Sequence, residues 1–297
     1  MNQRMKLVIA YDGSDGADAV FFDLPRAGLP PAVEAVVISV AERWLPPIPA
    51  YAAMEVPPTE QSRYWEKQAL AQAEQAAERL RSAFPEWEVS AEAVSGSPER
   101  EIVRKADQWQ ADLIVVGSHG RTALGRFFLG SVSQKVAADA HCSVRIARGQ
   151  AQEGVRPVRI AIGLDGLPGA DAAVRVVASR FWPPQTEARL ITTVGPYTQA
   201  ADQGMKEEIE RAEAMQAQAA AVLREAGLEV SSTVTTEDPK QSILQEAERL
   251  GADCIFVGKN RHSGLERFVL GSVSTAIATR AHCSVEVVRA EKAEAEQ

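Results

Sequence analysis

Residues 127–144 read FFLGSVSQKVAADAHCSV, and residues 268–285 read FVLGSVSTAIATRAHCSV. Twelve of these eighteen positions are identical at a constant offset of 141. A self-match of that length means that one structural unit occurs twice in the chain. Upstream, ADLIVVG (Ala111 to Gly117) faces ADCIFVG (Ala252 to Gly258), and Ser97-Pro98 faces Asp238-Pro239, each pair opening a helical stretch. Near the start of each copy the offset becomes 153. There VIAYDGSDGADAV (8–20) faces AIGLDGLPGADAA (161–173), which aligns Asp12 with Asp165. The second copy is thus twelve residues shorter in its middle. The difference falls on the proline-rich stretch Trp44 to Thr59, so the first copy carries a longer loop after its second strand. The expected units are 1–150 and 155–297, joined by a linker within Gly149 to Pro157 and ending in a solvated tail, AEKAEAEQ.

Within each copy, short apolar runs alternate with amphipathic segments, the β-α-β signature of a parallel sheet. The runs predict strands at 7–11, 35–40, 89–94, 113–117 and 144–147. In the second copy they predict strands near 158–163, 188–194, 229–235, 254–258 and 285–288. Most are continuously apolar, as strands covered on both faces must be. The third, VSAEAV, alternates and reads as an edge strand or as one exposed on one face. Helices are expected over Gly16 to Leu24, Glu60 to Phe84, Pro98 to Gln110 and Ser131 to Ala140, with Pro98 and Pro239 in the first turn, where a missing N–H is tolerated.

Composition narrows the function classes. The 297 residues are 45% apolar and 24% charged, with a net charge of −8, the profile of a globular protein. The acidic balance argues against a general nucleic-acid binder, which grips phosphates with clustered Lys and Arg. No run reaches the roughly 18–20 apolar residues that cross a bilayer, and the N-terminus does not read as a signal peptide. The expectation is a cytoplasmic protein without nucleic-acid or membrane partners. Cys142, Cys254 and Cys283 are sparse and lack C-x-x-C spacing, so small core residues are expected rather than a disulfide frame or a zinc site.

The chemistry-bearing segment follows the fourth strand: Gly117-Ser118-His119-Gly120, nine further residues, then Gly130-Ser131 opening a helix. Glycines let a backbone wrap closely around phosphate oxygens. A helix start adds unpaired amides and a positive dipole end, and Ser131 and Ser133 add hydroxyls. The pattern is neither a Walker A loop nor the G-x-G-x-x-G of dinucleotide enzymes. Arg121 and Arg126 are candidates to neutralise phosphate, although such residues more often lie on a solvated face. His119 reads as a phosphate-adjacent or exposed imidazole rather than a catalytic base, since no nucleophile is paired with it. His141 and His282, in the repeated A-H-C-S-V, read as structural. The five tryptophans share no spacing, and packing suffices for them.

The pattern G-x2-G-x9-G-[ST] after a fourth strand resembles the ATP-binding subset of the universal stress protein family. The resemblance extends to the Asp ending the first strand, to D-L-I-V-V-G-S-H-G-R at 112–121 and to L-G-S-V-S at 129–133, and it covers nearly the whole chain, twice. It implies an α/β fold of two tandem five-stranded parallel sheets, each of order 3-2-1-4-5 with helices on both faces, of the adenine nucleotide alpha hydrolase-like type. By the same resemblance Asp12 lies by the ribose or adenine and Val40 meets the adenine through its backbone. Gly117, Gly120, Gly130, Ser131, Val132 and Ser133 line ribose and phosphates. The ligand is ATP, with ADP or AMP as alternatives, and a magnesium ion would be held mostly by phosphate and water. The last strands of the two units, SVRIA (143–147) and SVEVV (284–288), would pair edge to edge as an intrachain pseudo-dimer, with a homodimer of whole chains left open.

In the second copy Asp165, Val194, Gly258, Gly271 and Ser272 match, but Arg261 stands where Gly120 stands, and Leu167-Pro168 replaces Ser14-Asp15. A weaker or altered second site is expected. No general base, nucleophile or carboxylate cluster is evident. Three classes remain open: a nucleotide-dependent regulator or sensor in stress response, a slow ATPase or phosphotransferase of the same fold, and a non-binding structural adaptor. The first accounts for the intact loop and the missing catalytic groups together.

Overall fold

A computed structural model describes residues 4–42, 60–118, 129–149, 156–195, 202–259 and 271–290. Its first five strands are β1 (Met5–Ala10), β2 (Val33–Glu42), β3 (Glu88–Gly96), β4 (Leu113–Gly117) and β5 (Ser143–Ala147). The second five are β6 (Arg159–Leu164), β7 (Glu187–Thr193), β8 (Glu229–Thr235), β9 (Cys254–Lys259) and β10 (Ser284–Arg289). Between them run α1 (Asp15–Asp23), α2 (Glu60–Ala83), α3 (Pro98–Trp109) and α4 (Ser131–Asp139), then α5 (Pro168–Ala178), α6 (Asp202–Glu225), α7 (Pro239–Leu250) and α8 (Ser272–Arg280). The proline-rich stretch 44–59, most of the linker and the tail lie outside the described residues.

Local sequence explains the helix ends. Ser14 caps α1 by accepting from the Ala17 amide, and Asp238 caps α7 by accepting from Lys240 and Gln241, while prolines occupy the first turns of α3 and α7. The buried face of α2 is Ala69, Ala73, Ala76, Ala77 and Leu80, a stripe at helical spacing. Helices α3 and α7 end alike, in a left-handed residue. In α7 it is Gly251 (φ +63), but in α3 it is Gln110 (φ +53), where a side chain is disfavoured.

The strand order is β3-β2-β1-β4-β5-β10-β9-β6-β7-β8, one continuous ten-stranded sheet. Each half keeps the order 3-2-1-4-5, and the alternating third strands, β3 and β8, lie at its two outer edges. The expectation of two separate sheets is corrected. Strands β5 and β10, which would be open edges, pair antiparallel with Val144, Arg145 and Ile146 opposite Val287, Glu286 and Val285, so each satisfies the other's free backbone groups.

Alternation at this seam sorts the core. Val144, Ile146, Val285 and Val287 face α3, α4, α7 and α8 and belong to one apolar core running through both halves. On the opposite face the core is split. One part lies under α1 and α2 and another under α5 and α6. The charged cross-strand pair Arg145 and Glu286 interrupts it. Both residues are fully buried. Arg145 donates to both carboxylate oxygens of Asp23 on α1 at 2.6 and 2.8 Å and to Glu286 at 3.1 Å. Arg180, just past α5, also pairs with Glu286 and donates to the Ala27 carbonyl. Burial works against the Arg145 charge, but the two carboxylates outweigh it and push its pKa up. Further out, Arg26 forks onto Asp253 at 2.9 and 3.0 Å. Trp182 packs so closely on Gly28 that a Cβ there would lie 2.6 Å from the indole.

Two stability measurements follow from this frame. Glu286→Leu leaves the buried Arg145 with Asp23 as its one carboxylate and Arg180 with the Ala27 carbonyl among the described residues, so urea unfolding should show a loss of about 3–5 kcal/mol. Gln110→Gly relieves the left-handed residue and should raise stability by up to about 1 kcal/mol.

Candidate functional site

In each half the strand order reverses beside the first strand, which has the second on one side and the fourth on the other. Ligands of open α/β sheets bind outside the carboxyl ends of strands at such a point. In the first half three segments meet there.

The first segment is the turn after β1. The Tyr11 amide donates to Ile38 O at 3.0 Å and Ser39 Oγ to Tyr11 O at 2.6 Å, so the chain stays pinned to β2 past the end of β1. Asp12 Oδ1 then accepts from the Ser14 amide at 3.0 Å and from Ser14 Oγ at 2.6 Å. This turn needs Gly13 at φ +74. Gln72 of α2 lies over it, with Nε2 3.0 Å from where a Cβ on Gly13 would sit. Asp165 repeats the turn, accepting from the Leu167 amide at 3.0 Å, with Gly166 at φ +74. Leu167 provides no side-chain cap for α5.

The second segment is the end of β4. A Cβ on Gly117 would lie 2.4 Å from the carbonyl oxygen of Gly16 in the first turn of α1. Gly258 is equally constrained, 2.2 Å from the carbonyl carbon of Gly169 in α5. At these two positions backbone packing of helix on strand already requires glycine. Phosphate approach is not needed to account for them.

The third segment is the start of α4. The Gly130 amide donates to Ser118 O at 2.8 Å, and Ser133 Oγ donates to Gly117 O at 2.6 Å, binding the first turn of α4 to the end of β4. Ser274 Oγ makes the matching bond to Gly258 O at 3.0 Å. The serine proton is thus committed to the backbone in both halves. Gly130 caps α4 at φ −60 with no side-chain acceptor, and Gly271 caps α8 at φ −54 in the same way. Any residue can adopt those angles. Among the described residues, a Cβ on Gly271 would also meet nothing within 4 Å. Ser131 and Ser272 are exposed, while Val132 is half-buried against the core.

Val40 lies on the part of β2 that outruns β1. Pairing with β1 ends at Ile38, whereas pairing with β3 continues to Glu42. Val194, past the end of β7, is buried and donates its amide to Thr235 O at 2.9 Å. Asp12, Gly117, Gly130, Ser131, Val132 and Ser133 are therefore brought to one end of β1 and β4, with Val40 on the adjoining strand. Gly120 and Arg121, and with them His119, Arg126, Arg261 and His262, lie outside the described residues.

Sequence reasoning missed a cationic brace behind α4. Lys259 stands in the second half where Ser118 stands in the first, and it is 5% exposed. Its ammonium donates to Ala137 O at 3.1 Å and to Ala138 O, and Arg289 donates to Ala140 O. The last carbonyls of the helix whose first turn forms the site are thus held by cations from the other half. The signal was present as arginine at both 148 and 289, one repeat apart. Burial, with Arg289 nearby, pushes the Lys259 pKa down to about 8 from 10.5. Between those values the unfolded chain holds a proton that the folded chain has released, so stability rises with pH across that window, by at most about 1.4 kcal/mol per pH unit. Comparing urea unfolding of the wild type with Lys259→Met isolates this slope, which the variant should lack.

The other singled-out side chains are structural. Cys254 is buried against Arg145 (Nη1 to Sγ 3.4 Å), and burial raises the Cys142 and Cys283 thiols to about 12. His141 Nδ1 lies 3.1 Å from Asp107 at the surface. Among the described residues no helix is long and apolar enough to cross a membrane.

Comparison with known proteins gives the same architecture. The model of the universal stress protein family matches residues 3–148 and again 158–289. A universal stress protein of Mycobacterium tuberculosis strain H37Rv is 27% identical over 303 residues, covering 95% of this chain and 96% of its own. One from Methanocaldococcus jannaschii is 38% identical over 77 residues, 25% of this chain and 45% of its own. The crystal structure of a universal stress protein from Archaeoglobus fulgidus superposes with a TM-score of 0.61 at 20% identity, covering 96% of this chain and 98% of that one.

Proposed function

The chain belongs to the universal stress protein family, and from that premise we propose that its first half binds ATP and acts as a nucleotide-dependent regulator or sensor in stress response. ADP or AMP would use the same contacts. One observation carries the reading. At the topological switch point, α4 starts on Gly130, a cap without a side-chain acceptor at angles open to any residue. Serine, asparagine or aspartate would stabilise a helix start better, by a few tenths of a kcal/mol. A glycine there leaves the first amides of α4 to an anion, and phosphate is the anion that the rest of the constellation suits. Asp12 and the β2 backbone around Val40 would face the nucleoside end. Magnesium would be held chiefly by phosphate and water.

The asymmetry between the halves supports placing the site in the first. Gly120 faces Arg261 in sequence, and Ser14 caps α1 where Leu167 gives α5 no cap. The second half would then serve as a packing partner with an altered pocket. Regulation rather than turnover is favoured because the described constellation contains no paired nucleophile and base. A protein of this kind reports occupancy through its shape.

Titration calorimetry of the full chain tests the reading. ATP should bind, and nucleotide should be recoverable from the purified protein by heat extraction. Gly130→Asp puts a good helix cap, and a negative charge, where phosphate would sit. The variant should remain folded and lose affinity by about tenfold or more. Gly271→Asp should leave the main binding isotherm unchanged. Equal effects of the two substitutions, or no ATP binding by the wild type, would refute the assignment.

A further inference from the structure

Pairing at the seam leaves β3 and β8 as the two outer edges of the sheet. An arginine near the end of the preceding helix guards each edge, but not equally. On β3, Arg81 donates through both Nε and Nη2 to Val89 O, at 3.0 and 2.9 Å, which occupies both lone pairs of that carbonyl. On β8, Arg224 places Nη2 alone on the matching Val230 O, at 3.3 Å, which leaves a lone pair open among the described residues. Charges along an edge also deter pairing. β3 carries Glu88 and Glu92, the second at its middle, whereas the charge on β8 is Glu229, at its first position. From Ala91 onward no residue of β3 is exposed, while Ser231 and Ser232, at the middle of β8, both are.

The direction of the backbone groups along β8 is fixed at both ends. The Glu229 amide donates inward to Thr186 O, and Thr235 O accepts inward from the Val194 amide, both at 2.9 Å. These groups alternate in direction along a strand, so those of Val230, Ser232 and Val234 point out of the sheet, away from β7. The outward residues are self-complementary. When a second copy lies antiparallel about a two-fold axis at Ser232, Ser232 meets Ser232 and Val230 meets Val234, each pair exchanging both N–H···O bonds. In the same register Ser231 meets Thr233 and Glu229 meets Thr235. Apolar faces apolar, hydroxyl faces hydroxyl, and the acid faces no like charge. This register engages the whole of β8.

We infer that two copies of this chain join through an antiparallel β8–β8 contact that continues the ten-stranded sheet across a two-fold axis. Such an interface is isologous and closed. It repeats between chains the edge pairing by which β5 and β10 join the halves within one. It lies at the far edge of the second half, so association would occupy that half and leave the candidate site of the first half clear.

Sedimentation velocity of the full chain tests the inference. The wild type should sediment as a dimer. Ser232→Glu, at an exposed position, sets like charges against each other on the axis and should give a monomer with an unchanged circular dichroism spectrum. Ser232→Lys should do the same. Mixed in equal amounts, the two variants should recover the dimer, because opposite charges then meet on the axis. That recovery requires residue 232 of one copy to face residue 232 of the other, which a dimer formed through a different surface would not show. The inference is overturned if the wild type is a monomer, if Ser232→Glu keeps the wild-type dimer, or if the mixture of the two variants stays monomeric.

Discussion

The ion pair between Arg145 and Glu286, buried at the middle of the seam, is the contact on which the arrangement of the halves depends. The two residues occupy the same position in their repeats and face each other across antiparallel strands. Two identical units joined in this way would set like against like at that point, which in a buried cross-strand pair is destabilising. Arginine in one copy and glutamate in the other turn the clash into an attraction. Asp23 and Arg180 then complete the neutralisation from the helices on either side. The seam is thus matched between unlike halves of one chain.

That difference recurs wherever the copies meet. Lys259 against Ser118 gives α4 a brace that α8 does not receive from the matching position. Ser14 against Leu167 caps one first helix and not the other. The scaffold is pseudo-symmetric because backbone hydrogen bonding and apolar packing repeat. The chemistry is asymmetric because the polar side chains at the seam and the loops do not.

The glycines of the candidate site fall into two physical groups. Gly117 and Gly258 are required by helix packing, since a side chain would run into the backbone of α1 or α5. Gly271 and Gly130 have ordinary angles, so conformation does not call for glycine at either, and among the described residues a Cβ on Gly271 would meet no neighbour within 4 Å. Ser133 divides similarly, with its hydroxyl proton engaged by Gly117 and its backbone amide at the helix start.

The sequence by itself determined the duplication, the strands and helices of each unit, the alternation of the third strand and the segments that converge after β1 and β4. These are legible because periodicity, capping residues and a repeat at fixed offset are local or self-referential signals. The union of two sheets into one was foreshadowed only by the resemblance, and hydrogen bonding between β5 and β10 established it. The Arg145–Glu286 pair, the reach of Lys259 to α4, the packing origin of Gly117 and the reach of Arg148 to the end of α8 were decided by tertiary structure alone. Each depends on which side chains from distant segments share a volume closed to water, and a burial partner more than a hundred residues away leaves no periodic trace in the chain.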